Sequence, residues 1–521
     1  MKKLPVDVST FKTMIEGDYV YVDKTQYIYN LIESGRFYFI SRPRRFGKSL
    51  LISTLKELFS GNKILFKDLW IGSSGYIWQE HPVIYLNFSD IDIETSPELK
   101  ISLSWELESI AEEYTIDVSS APSAGSKLKK LVKELAKKNP VVILIDEYDY
   151  PIINNLAHTK IAQANRSVLK NFFSVIKSLD AYLRAIFITG VTKFSKTSIF
   201  SGLNNLNDIT LAPESALLLG YTHEEIEQYF SEYISSFAHE KQTQKTEVMQ
   251  EMKTWYNGYR FSRKEATVYN PFSVLYYLKN KDRTNFWFES GTPSFLVEFL
   301  RKHYDALEGI EKAEFSTTGL GTVDLEDIPP TTLLFQTGYL TISDYDSNTK
   351  RYKLDYPNQE VRDSFQKYLL AAFSNTNVTE IEKATSQLAT SLKEANVTLF
   401  CQLLQSLLAH IPYQLHIAQE RYYHSLFQLI GSLLSLDIQT EVSTNKGRIN
   451  LVFFTVSNIY LFELKFKISA EQALKQIEEQ RYYEKYLLTG KNITLIGLSF
   501  KHSKKKLTLD YAIKNLSEKD E

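Results

Sequence analysis

An α/β fold is predicted for this 521-residue chain, and three observations predict it. From the N-terminus to about residue 213, short apolar β-rich runs alternate with helical patterns, the signature of a parallel sheet covered on both faces. One of the runs, "VVILI" at 141–145, is apolar throughout, as a strand buried on both faces must be. From about residue 376 a second pattern follows, two amphipathic helical stretches and then the order α-β-β-β-α-β.

The first run, Phe37–Ser41, ends in the turn "RPRRFGKS" and enters a helix. Leu50, Leu51, Leu55, Leu58 and Phe59 recur there at helical spacing, and Gly61 is its stop. Further strands are predicted at Val83–Phe88, Val141–Ile145 and Leu183–Thr189, with helices at Ser126–Lys138 and Asn165–Leu179. Residues 214–375 are mainly helical and broken by turns at Asn257-Gly258, Asn270-Pro271 and Pro329-Pro330, which reads as a helical lid followed by a small mixed, winged-helix-like module. The last region predicts a helix at Glu420–Leu436 and strands near Ile438–Val442, Ile449–Phe454 and Ile459–Leu464. A helix at Ala470–Leu488 and a strand at Ile493–Phe500 complete it. The expected domains are therefore 1–213, 214–375 and 376–521, with the terminal "LSEKDE" frayed.

Composition narrows the class. With 43% hydrophobic and 23% charged residues the chain is an ordinary globular protein. No apolar run is long enough to span a bilayer, and the start "MKKLPVDVSTFKTM" has no apolar core, so neither a membrane partner nor a signal peptide is expected. A single cysteine, Cys401, cannot form an internal disulfide, which fits a reducing cytoplasm; it reads as a small core residue. A net charge of -2 excludes a chain that is basic throughout, so contact with DNA or RNA must come from a local patch. The aromatic residues are spread along the chain, as packing requires.

A strand, a turn holding Gly-Lys-Ser and a helix form the layout of a phosphate-binding loop. Gly47 lets the backbone come close to a phosphate, Lys48 can set its ammonium on the terminal phosphates, and Ser49 offers a hydroxyl to Mg²⁺. The helix N-terminus adds unpaired N–H groups. Arg42 stands where the first glycine of G-x-x-x-x-G-K-[ST] belongs; Pro43 stiffens the turn, and Arg44 and Arg45 add positive charge. With Phe46 and Leu50 these residues make up the candidate nucleotide-binding set, 42–50. By itself the loop is equally a strand–turn–helix of no function. "VVILIDEYD" supplies the second half: Asp146 for the Mg²⁺ shell and Glu147 to polarise the attacking water. "LRAIFITG" ends at Thr189, where a hydroxyl could sense the γ-phosphate. Lys193 and Lys196 follow, either as surface lysines or as catalytic ones.

At this point the chain resembles the bacterial and archaeal proteins that join an AAA-ATPase-like domain to a C-terminal PD-(D/E)XK nuclease-like domain. The matching stretches are "YVDKT" (21–25), "SRPRRFGKSLL" (41–51), "LIDEYDYPI" (144–152), "FITGVTKFSKTSIFSGLNNLNDIT" (187–210), "WYNGYRF" (255–261), "YNPFSVLYYL" (269–278), "FWFESGTPSFL" (286–296) and "LLFQTGYLTI" (333–342). They cover nearly the whole chain. In that family "RPRRFGKS" is the usual loop, so Arg42 is a family trait, and the resemblance implies a P-loop that binds ATP with Mg²⁺. It also draws in Asp23 and Lys24, either near the nucleotide base or as an N-cap and a surface lysine. "WYNGYRF" reads as a structural turn, with Arg260 within reach of a phosphate as the other reading.

The same resemblance implies a restriction-endonuclease-like fold at the C-terminus. In the PD-(D/E)XK pattern two acids and a substrate phosphate hold Mg²⁺, and a lysine positions or activates water. Glu463 and Lys465 in "NIYLFELKF" lie two apart on a strand and face one way. Glu420 on the preceding helix joins the metal candidates, and Gln476 on the following helix, with Tyr482 and Tyr486 on its face, completes the set. The departure is Asn450: the family pattern "GRIDLV" reads "GRINLV" here. An amide oxygen brings no charge to a hard divalent cation, so weak metal binding and slow or absent cleavage are expected, with Glu441 as a candidate to compensate. The alternative is a Glu463–Lys465 ion pair on an exposed strand. "STNKGR" (443–448) and "KHSKKKL" (501–507) are basic features suited to nucleic acid or to a solvated face.

The function expected is a P-loop ATPase that turns over slowly, fused to a nuclease-like domain that binds DNA or RNA and is impaired as a nuclease. Two alternatives stand beside it: an active ATP- and Mg²⁺-dependent nuclease, and a regulatory nucleotide switch or interaction protein that cuts nothing. A homo-oligomer is compatible with all three.

Overall fold

The computed structural model describes residues 1–194, 199–200, 203, 205–291, 314–316, 319–320, 325–326, 328–374, 376–410, 420–434, 436–444, 447–503 and 506–516. The chain divides into two compact units, Met1–Leu296 with Gly309–Arg362, and Val297–Glu308 with Asp363–Glu521. Residues 214–296 and 309–362 thus belong to the same unit as the phosphate-binding loop.

The first unit is built on a five-stranded parallel sheet. Its strands are β1 (Phe37–Ser41), β2 (Val83–Asn87), β3 (Val141–Asp146), β4 (Leu183–Gly190) and β5 (Asn207–Asp208), in the order β2-β3-β4-β1-β5. Alternate residues of each strand feed two cores. Phe37, Phe39, Ile143, Ile145, Ile186 and Ile188 pack under helices Ser96–Glu113, Ala124–Leu135 and Thr159–Ile176. Tyr38, Ile40, Val142, Leu144, Ala185 and Phe187 pack under helices Phe11–Glu16, Thr25–Ser34 and Lys48–Phe59. Every residue of β3 is buried, as its apolar run requires. The C-terminal ends of β1, β3 and β4 therefore lie side by side, and each delivers one candidate motif to the same edge.

The lid region contributes helices His223–Glu240, Lys245–Tyr256 and Pro271–Asn280, which close over Val20 and Val22. A small antiparallel sheet follows, made of β6 (Glu314–Ser316), β7 (Thr341–Asp346) and β8 (Arg351–Asp355) in the order β6-β8-β7.

In the second unit helices Val378–Lys393, Val397–Ala409 and Glu420–Ser432 precede a five-stranded mixed sheet. Its strands are β9 (Asp437–Thr444), β10 (Gly447–Phe454), β11 (Asn458–Phe466), β12 (Asn492–Ser503) and β13 (Lys506–Asn515). β11 and β12 are parallel and the other pairs antiparallel. The expected final strand is thus followed by another, and "KHSKKKL" begins in β12 and ends in β13. Helix Ala470–Glu479 ends before the expected Leu488: Arg481 takes a left-handed φ of 47°, and a 3-10 turn at Glu484–Thr489 replaces the last part. Cys401 is buried, and its thiol is pushed up to about 12 by desolvation, as befits a core residue. Among the described residues no helix is long and apolar enough to cross a membrane. Lys196 and the "LSEKDE" terminus from Ser517 on lie outside the described residues, as do the side chains of Glu420, Glu441 and the "STNKGR" turn.

Candidate active site

The loop after β1 is set by two left-handed residues. Arg45 has φ 67° and Gly47 φ 88°; Gly47 caps helix Lys48–Phe59 and accepts from Leu51 N at 3.0 Å through its carbonyl. A Cβ added at Gly47 would meet nothing within 4 Å, so the backbone there faces open space that a phosphate could enter. That space belongs to a cavity of about 550 Å³, a size suited to a nucleotide. Arg44 to Leu51 and Glu147 line one part of it, and Val20, Tyr21, Val22, Leu218 and Leu219 line another.

Lys48 is buried and donates to Arg42 O and Pro43 O, both at 3.0 Å. An ammonium has three N–H donors, so one remains to meet an anion. Burial lowers the Lys48 pKa, opposed by Glu147, Asp146 and Asp149, so the loop lysine and the acids after β3 share one electrostatic environment. Glu147 lines the cavity, and desolvation raises its pKa against the pull of Lys48. Asp146 is buried and accepts from Thr189 Oγ1 and from Glu147 N at 3.1 Å, which joins the end of β3 to the end of β4. Lys48, Ser49, Glu147, Asp146 and Thr189 are thus brought together as a set.

Arg42 behaves differently. It is 1% exposed, and its guanidinium turns to the scaffold: it donates to Ser41 O at 2.9 Å, Thr210 O at 2.7 Å and Ser215 O at 3.1 Å, and lies 4.2 Å from the Phe261 ring centroid. Phe46 is likewise buried, edge-on to Tyr259 and Phe261. "WYNGYRF" therefore packs behind the loop, and Arg260 spends its side chain on the carbonyls of Ser262, Ser343 and Arg263. Lys193 pairs with Asp208. Asp23 accepts from Thr25 N and Trp70 N, whereas Lys24 lines the same cavity as the loop and is paired with Glu225 at 2.6 Å.

In the second unit the β10–β11 register runs from Phe454↔Ile459 to Leu451↔Phe462, and Asn450 and Glu463 are the next residues of the two strands. Glu463 is 2% exposed; its carboxylate accepts from Gln476 Nε2 at 2.9 Å and pairs with Lys465 Nζ at 3.1 Å. The ion pair exists, on a buried strand. Asn450 Oδ1 accepts from Leu464 N at 2.7 Å, so its carbonyl oxygen is engaged by the neighbouring strand. Tyr482 and Tyr486 pack with Val452, Leu461 and Ile477 in the core on this face of the sheet.

Residues 5–200 match the family described as a predicted AAA-ATPase, and residues 418–508 match the PD-(D/E)XK nuclease superfamily. An "Uncharacterized protein in vnfD 5'region" from Azotobacter chroococcum mcd 1 is 36% identical over 511 residues, 96% of either chain. This chain belongs to the family that fuses those two domains.

In the AAA-ATPase-like domain the open backbone over Gly47, the spare N–H of Lys48 and the acids beside it fit a magnesium–triphosphate group. In the PD-(D/E)XK domain Glu463 is the one carboxylate among the described candidates, with Lys465, Asn450 and Gln476 beside it, and no group of three or more His, Cys, Asp or Glu able to hold a metal occurs among the described residues. Sequence reasoning missed three contributors. Asp149 holds the chain after β4, Glu225 neutralises Lys24, and Trp287 Nε1 donates to Arg44 O at 3.0 Å. Only Asp149 carried a signal, as the third acid of "DEYD"; the other two act from about 200 residues or more away in the chain.

Proposed function

We propose that this protein binds and hydrolyses ATP at the loop–β3–β4 edge, in the cytoplasm, and that its PD-(D/E)XK domain holds DNA or RNA while cleaving it poorly or not at all. The observation that carries the reading is the convergence of a buried loop lysine, a cavity-lining glutamate and the Asp146–Thr189 hydrogen bond beside one cavity. Ser49 and Asp146 would hold Mg²⁺, which when bound neutralises charge on the terminal phosphates. Lys48 would bind the β- and γ-phosphates, and Thr189 would orient around the γ-phosphate. Glu147 would take a proton as water attacks the γ-phosphorus; the bond to the β,γ-bridging oxygen breaks and its electron pair leaves with ADP. A carboxylate with a raised pKa is a better base near neutrality than an ordinary one.

The impaired-nuclease half rests on Asn450, uncharged and tied to Leu464 N. ATP turnover measured with and without DNA or RNA, alongside Mg²⁺-dependent cleavage of the same nucleic acids, tests both halves. Phosphate release stimulated by nucleic acid without cleavage is the expected result; vigorous cleavage by the native chain would overturn the second half, and absence of ATP binding the first.

A further inference from the structure

Glu147 occupies a conformation that costs energy. Its φ of 51° lies in the left-handed region, which a residue with a Cβ enters at a cost of order 1 kcal/mol. The turn is held on both sides. On the near side Asp146 takes the hydrogen bond from Thr189 Oγ1. On the far side Tyr148 N donates to Thr189 O at 3.0 Å, and the next residue is Asp149. Asp149 is buried, and its carboxylate accepts from Val191 N at 3.1 and 3.2 Å, from Thr192 N at 2.6 Å and from Thr192 Oγ1 at 2.8 Å. Gly190 makes room for this grip: a Cβ there would lie 2.5 Å from Asp149 Oδ1. Burying a carboxylate is expensive, and here three donors from two consecutive residues compensate it.

We infer that Asp149 is a positioning residue for Glu147: by gripping the backbone after β4 it fixes the left-handed turn that presents Glu147 to the nucleotide cavity. Asp149 does not touch the nucleotide. It acts through the backbone of Glu147 and Tyr148, so its loss displaces the base and leaves the phosphate-binding loop in place. The inference rests on the ATPase reading given above. A misplacement of the base by about 1 Å costs on the order of 100-fold in rate.

The test is a double-mutant cycle on the full chain, reading kcat, the dissociation constant for MgATP and the unfolding temperature. Asp149→Asn keeps one acceptor but turns an NH₂ group toward a backbone N–H, and should lower kcat about 30- to 100-fold with nucleotide affinity within threefold of wild type. In a Glu147→Gln background the same substitution should leave the residual kcat unchanged, because the group it positions is gone. A purely structural role would lower the unfolding temperature and cut kcat equally in both backgrounds, which would overturn the inference. Thr192→Val, which removes only the Oγ1 hydrogen bond, serves if Asp149→Asn does not fold; it should lower kcat severalfold with the same dependence on Glu147, and an unchanged kcat would likewise overturn the inference. If Glu147→Gln alone leaves turnover intact, the ATPase assignment of Glu147 fails first, and the role of Asp149 falls with it.

Discussion

Replacing Arg42 by methionine asks whether the arginine in the place of the first loop glycine serves the scaffold or the ligand. Its guanidinium donates to the carbonyls of Ser41, Thr210 and Ser215 and lies over Phe261. A hydrogen bond from a charged donor is worth roughly 1.5–3 kcal/mol, so three contribute about 5–9 kcal/mol. Against this, burial pushes the guanidinium pKa down to about 9, a desolvation cost on the order of 4–5 kcal/mol. Methionine keeps an apolar stem over Phe261 and removes both contributions, so the expected loss of stability is about 1–4 kcal/mol. Urea unfolding should show a lower midpoint for the first unit's transition. Calorimetric titration with a non-hydrolysable ATP analogue and Mg²⁺, run well below the unfolding temperature, should give an affinity within threefold of wild type. A variant as stable as wild type whose affinity collapses would place the guanidinium on a phosphate and refute the scaffold assignment.

Lys48→Ala should weaken MgATP binding by about 10- to 100-fold, the worth of one or two charge-assisted hydrogen bonds, and stop turnover; unchanged turnover in a phosphate-release assay would remove Lys48 from the site. Glu147→Gln should cut turnover to a small residual rate and raise the unfolding temperature at neutral pH. Burial holds the Glu147 pKa above its unfolded value, so the folded state retains a proton that the unfolded chain has lost, and stability falls as pH rises between the two values. The wild type at pH 7 carries that penalty and the amide does not; a calorimetric scan showing a lower temperature for the variant would contradict the burial argument. For the same reason the acid limb of the turnover profile should lie above the range of an ordinary glutamate, about 4.3. Asn450→Asp should lower the unfolding temperature in EDTA, because a second carboxylate then sits at Leu464 N, next to the buried Glu463, and Mg²⁺ should restore it; Mg²⁺-dependent cleavage is the expected gain of function.

Four strands of the first sheet were legible almost to the residue because burial on both faces turns a strand into a continuous apolar run. β5 was not legible, being two polar residues, Asn207 and Asp208, that pair with β1 without any apolar signature. β13 was missed because its start is read as charge: "KHSKKKL" looks like a solvated run, although Lys501 of β12 pairs with Asp510 of β13. The loop, the paired acids and Thr189 could be named from sequence because each sits at the end of an apolar strand, and the parallel order brings those ends together. Side-chain direction was not accessible. Arg42 belongs to the loop by position, yet its partners Thr210 and Ser215 lie about 170 residues on. Nothing local says that an arginine in a phosphate-binding loop faces away from phosphate.

The two candidate sites differ in how their charges are compensated, and the difference bears on which of them is at work. In the first unit Lys48, Glu147 and Asp149 are each shifted by desolvation toward the uncharged form, and Glu147 sits in a left-handed turn as well. Those are standing costs, and a fold retains such costs where the groups are needed for something else. In the second unit Glu463 is buried as well, and the groups described beside it are of another kind. Glu463 is matched by an ammonium and an amide, and Asn450 answers a strand N–H in the place where a carboxylate would have repelled Glu463. Asparagine at 450 therefore removes the repulsion between two acids that a divalent cation would otherwise have to relieve. Losing a carboxylate there would favour the metal-free protein and weaken the pull on Mg²⁺, which supports the proposal that the nuclease-like domain binds more than it cuts.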